Sequence, residues 1–147
     1  MPKPARPKKS PAFSFVLDEL NDSPLAGRIR TRPMFGSHAV YVDQKIVFIL
    51  RQRNHPKTIR DNGIWVAMLP EFTESVRKDF PTLRPIELFA ARSRTGFTGW
   101  LNLPDTDDAF EESALALCRL LIRGDKRLGK IPKSRAPRRK SKVRMRK

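Results

Sequence analysis

The chemistry open to this chain is concentrated in its cations. The run Lys133-Ser134-Arg135-Ala136-Pro137-Arg138-Arg139-Lys140-Ser141-Lys142, with Arg144 beyond it, contains no acid. Against a phosphate backbone such a run releases condensed counterions. Each neutralised phosphate adds about −0.9 to the slope of log affinity on log salt. A second spacing lies far upstream, where Arg28, Arg30 and Arg32 alternate and would share one face of a strand as a phosphate-binding stripe. The competing use for these three is pairing with carboxylates of their own domain, because surface ion pairs are common and cheap. No aromatic residue is interleaved in either terminal segment, so base stacking is not offered there.

Catalytic constellations are sparse. His38 and His55 are the two histidines, and neither stands at metal-ligand spacing from a cysteine or a carboxylate pair. Cys118 is flanked by Leu117 and Arg119 on an apolar stripe, which reads as a buried, inert thiol. Asp105-Thr106-Asp107-Asp108 offers oxygens, but without the glycine and distal glutamate of a calcium loop it reads as charge compensation at a helix start. There is no P-loop, dinucleotide fingerprint or nucleophile elbow. The expectation is a protein without catalytic residues, metal or cofactor.

The charge has a marked distribution. The chain of 147 residues carries a formal net charge of +16, yet residues 10–125 hold equal numbers of bases and acids. The excess lies in residues 1–9 and 126–147, neither of which contains an acid. We therefore divide the chain into a basic disordered arm (1–11), a single domain (12–125) and a basic disordered tail (126–147). One cysteine excludes an internal disulfide and agrees with a reducing cytoplasm, and no apolar run reaches the length of a membrane span. The expected partner is nucleic acid, bound without sequence preference, with a transcription-regulatory accessory role. The alternative is a chaperone-like module that binds a protein partner while the arms only aid solubility.

Positioning falls to short elements. Phe13, Val16, Leu17 and Leu20 give residues 12–21 a helical apolar face. Residues 28–32 alternate as a half-exposed strand. Residues 38–42 and 46–50 flank a tight turn at Asp43-Gln44-Lys45, and 52–62 is polar loop. Residues 63–69 form a strand, 71–80 a helix, and 86–90 and 97–103 two strands around a turn at 92–96. A final helix runs from a cap at Asp105 to about Arg123, stopped by Gly124. We read an α+β domain with an antiparallel sheet, helices on one face and the order α-β-β-β-α-β-β-α.

The stretch Arg32-Pro33-Met34-Phe35-Gly36-Ser37-His38-Ala39-Val40-Tyr41-Val42-Asp43, followed by Ile46-Val47-Phe48, resembles the signature of the TfoX N-terminal domain family. Gly99-Trp100-Leu101 leading into an acidic helix start is similar to that family and its YjbR-like relatives. The resemblance implies a two-layer α+β fold and a link to bacterial regulators of natural competence. It brings no catalytic residues. Met34, Phe35 and Tyr41 read as packing, and Gly36 as the enabler of a bend. Ser37 and Gln44 stand where the family often has glycine. A positive φ at Gln44 would cost about 1 kcal/mol.

Overall fold

Two-residue connections set the first half of the sheet. Strands β1 (Ile29–Met34), β2 (Ser37–Val42) and β3 (Lys45–Arg51) follow one another as antiparallel neighbours, with Met34 opposite Ser37 and Val42 opposite Lys45. The computed structural model describes residues 11–34, 36–87 and 99–132. Gly36 supplies a φ of 75° at the first turn. At the second the positive φ falls on Asp43 (56°), not on Gln44. Aspartate tolerates that region, so no penalty arises at Gln44.

The sheet has six strands in the order β1-β2-β3-β4-β6-β5, all adjacent pairs antiparallel. Four strands precede helix α2, matching the segments expected at 28–32, 38–42, 46–50 and 63–69 though not the order α-β-β-β-α-β-β-α, which counts one too few; β4 (Gly63–Ala67) pairs with β3. Gly63 opens it with a φ of 144°, and any Cβ there would collide with the Leu103 carbonyl of the neighbouring strand. A 3-10 turn at Pro70–Phe72 runs into α2 (Thr73–Asp79). Of the strand expected at 86–90, residues 86 and 87 do not belong to a strand; the short strand β5 lies at Arg84–Pro85, an edge position that the missing N–H of Pro85 suits. Residues 88–90, the turn at 92–96 and Phe97 lie outside the described residues. Strand β6 (Trp100–Pro104) inserts between β4 and β5.

Helices α1 (Ser14–Asn21) and α3 (Phe110–Ile122) pack together on one sheet face. Phe13 and Phe15 set their rings edge-on to Phe110 at 5.0 and 6.2 Å. Beneath them Val16, Leu20, Val76, Leu117 and Cys118 are buried with Val40, Phe48, Leu50, Ile64, Val66, Leu101 and Leu103. Asp105 does not cap α3. Asp107 does the local work, its carboxylate accepting from the Ala109 N–H at 3.1 Å, and the helix begins three residues after it. At the other end the Gly124 and Asp125 N–H groups donate to Leu121 and Leu120, a Schellman closure.

The chain does not leave the fold at Asp125, where the sequence reading placed the start of a disordered tail. Leu128 is fully buried, and the Gly129 N–H donates to the Ala67 carbonyl at 2.7 Å. Lys130 and Ile46 exchange two backbone hydrogen bonds of 3.0 Å. Residues 126–130 thus fill the gap where β3 and β4 diverge, and Lys126, Arg127 and Lys130 join the body. Leu128→Ala removes a fully packed side chain and is expected to cost about 3 kcal/mol in denaturant unfolding. A chain ended at Asp125 should unfold at lower denaturant still.

Candidate nucleic-acid interface

The sheet face away from the helices carries a second apolar layer: Ala39, Tyr41, Ile46, Ile49, Trp65, Ala67 and Ile86, with Met34 and Trp100 packed against it. The register lines up one residue from every strand across this face, in the order Arg32, Ala39, Ile49, Trp65, Asn102 and Arg84. Apolar groups hold the centre and an arginine stands at each edge.

The three alternating arginines part company here. Arg28 precedes β1 and is spent on Asp43, donating from Nε at 3.1 Å and from a terminal nitrogen at 2.6 Å. That bond raises the Arg28 pKa and lowers that of Asp43. Among the described residues Arg30 donates only to the Asp43 backbone carbonyl, at 3.1 Å. Its guanidinium lies 5.4 Å from the centre of the Tyr41 ring, and that of Arg32 lies 5.9 Å from the same ring. Among the described residues no carboxylate pairs with Arg30 or Arg32. Two exposed cations therefore share one buried aromatic platform, each held by a cation–π attraction of about 0.5–1 kcal/mol.

Tyr41 thus does more than the packing expected of it, a role that only register reveals. The same device recurs twice. Arg51, 4% exposed, lies 5.5 Å from the Trp65 ring, and burial lowers its pKa against the raising effect of Asp61. Lys130 lies 5.2 Å from the Trp100 ring. Sequence reasoning passed over both, because neither pair is close in the chain. The register joins Lys130 through Ile46 and Tyr41 to Arg30, so Lys130 and Arg30 lie along one transverse line. Met34 is half-buried against this layer. Arg135, Arg138, Arg139, Lys140, Lys142, Arg144 and Phe35 lie outside the described residues.

The sparse chemical groups stand apart. Cys118 is buried in the helix-side core, and burial, reinforced by Glu19, pushes its thiol up to about 12. His38 sits on β2 opposite Leu50, and His55 accepts the Lys57 N–H through Nδ1 in the loop after β3. Among the described residues no group of histidine, cysteine and carboxylate side chains could hold a metal ion, and no helix is long and apolar enough to cross a membrane. The chain matches no protein-family model, no curated protein and no solved structure.

Arg127 anchors the strap that ends in Lys130, bonding Asp125 at 2.9 Å, Asp79 at 3.1 Å and the Ser75 hydroxyl at 2.8 Å. Its hydrogen bonds hold the Asp125 carboxyl below the usual carboxylate range despite the opposing effect of burial. A pKa lower in the folded than in the unfolded chain gives stability that is complete above the ordinary value of about 3.9 and lost as pH falls through the folded value. Thermal melts should therefore show wild type ahead of Asp125→Asn at neutral pH, with the gap closing in acid. The Cys118 thiol should resist a disulfide reagent at pH 8 in the native protein and react fully after denaturation.

Proposed function

We propose that the protein is a non-enzymatic, nucleic-acid-associated accessory module of TfoX N-terminal-like type. The folded body presents Arg30 and Arg32, and the basic C-terminal run beyond Lys130 supplies further phosphate contacts. The observation that carries this reading is the pair of exposed guanidiniums on Tyr41 with, among the described residues, no carboxylate to neutralise them. Had β1 served only to pair with the domain's acids, Arg30 and Arg32 would be spent as Arg28 is. Two like charges on one ring repel each other, and a phosphate placed between them relieves that repulsion.

The edge position supports phosphate contact over strand addition. Among the described residues β1 has a neighbour only on its β2 side, and its other edge is open to a further strand. Pro33 removes one donor from β1, and the arginines charge it, both of which discourage pairing by a further chain. Contacts of this kind fix position on a backbone and carry no sequence information. The likeness of the first hairpin to TfoX N-terminal domains belongs to the same proposal: Gly36 makes the bend that brings Tyr41 beneath Arg30.

Titration of the full chain with duplex DNA at several salt concentrations tests the reading. Affinity should fall steeply with salt, and Arg30→Gln with Arg32→Gln should flatten the log–log slope by about 1.8. A chain ended after Pro132 should lose most of the remaining slope. Binding that is absent from the full chain, or indifferent to salt, overturns the proposal.

A further inference from the structure

At the end of the sheet where β3 stops and β4 begins lies a cleft of about 620 Å³, within the range of small-ligand sites. Arg53, Arg60 and Arg84 line it, together with Asp105 and Ile59, a large apolar side chain left 51% exposed. The cleft has a fixed floor. Asn62, 5% exposed, accepts the Arg53 N–H at 3.0 Å through Oδ1 and donates from Nδ2 to the Arg53 carbonyl at 2.9 Å. Its own carbonyl accepts from the Asp105 N–H at 3.2 Å and from Asn102 at 3.3 Å. One residue, through its side chain and its backbone carbonyl, thus ties the loop after β3, the start of β4 and the end of β6 into a single wall.

Among the described residues Arg84 and Asp105 do not cancel one another. Arg84 makes one hydrogen bond among the described residues, to the Arg60 carbonyl at 2.7 Å, which aims its guanidinium and leaves most of its donors unspent there. Arg60 bridges Glu87 at 2.9 Å, a pair more than half exposed on both sides and so easily exchanged. Asp105 shares the cleft with Arg84, yet no ion pair joins them, and among the described residues no group donates to its carboxylate. Two guanidiniums, a separate acceptor and an apolar patch around one hollow match the three parts of a nucleotide.

We propose that this cleft binds a nucleotide 5′-phosphate, with the phosphate on Arg84 and Arg60, a sugar hydroxyl or base amino group on Asp105, and the base against Ile59. A terminal phosphate monoester carries about −1.5 to −2 charge at neutral pH, against −1 for a diester, so the two guanidiniums favour a strand end over its interior. This rests on the reading that the protein contacts nucleic acid and adds to it a site separate from Tyr41 and its arginines.

Calorimetric titration of the full chain with a single-stranded tetranucleotide, either 5′-phosphorylated or 5′-hydroxyl, tests the site. The phosphorylated strand should bind at least ten times more tightly. Arg84→Gln and Ile59→Asp, both at exposed positions, should each erase most of that difference while leaving the melting temperature unchanged. Arg32→Gln should weaken both strands alike. A nucleoside 5′-monophosphate that binds as tightly as the tetranucleotide supports the cleft and identifies free nucleotide as its source. Equal affinity for the two strands, or an advantage that survives Arg84→Gln, overturns the proposal. Salt-sensitive binding of duplex DNA would then persist on its own, so loss of the cleft and loss of the broader reading are distinguishable.

Discussion

The register of the first hairpin governs everything the sheet can present. Met34 opposite Ser37 places Arg30 opposite Tyr41 and Arg32 opposite Ala39. Side chains alternate with a period of two, so a slip of one residue would turn both arginines toward the helices and into the apolar core. Burying two unpaired guanidiniums there would cost far more than any hairpin contact could return. Selection against that slip comes from the same residues that make the surface useful. Gly36 allows the tight bend, and the apolar layer under Tyr41 fixes which side faces out.

The second organising feature is the strap formed by residues 126–130. It places the boundary between body and basic run beyond Lys130, inside a stretch that charge alone assigns to the tail. The body accordingly carries a small positive excess of its own, with Arg127 neutralised by Asp79 and Asp125 and Lys130 held on Trp100. Cations that charge counting treats alike therefore divide into those that build the fold and those that remain at its surface.

Much of this architecture is legible in the amino-acid order. The change of period from helical to alternating after Pro24, the apolar runs around Asp43-Gln44, and Gly124 as a helix stop each rest on local chemistry, and each reappears in the fold. Arg84-Pro85 was passed over because two residues give no period, and only pairing with Leu101 and Asn102 makes them a strand. Asp105 was assigned a cap that Asp107 renders unnecessary. The Tyr41 platform was within reach of sequence, since a two-residue turn ending at Gly36 fixes Arg30 opposite Tyr41. Trp65 with Arg51, Trp100 with Lys130, and the cleft around Asn62 depend on tertiary pairing between distant segments, and no local signal marks them.

The placement of β6 between β4 and β5 has a bearing on how the chain assembles. Strands β1 to β4 form a meander in which each strand pairs with its predecessor, so it can zip up through sequential closures of low entropic cost. β5 has no neighbour when it first emerges, because the space beside it belongs to a strand still to come. The meander alone can thus be completed without any strand that comes after it in the chain. The later arrival of β6 and α3 converts its open flank into a finished wall, a sequence of events written into the strand order itself.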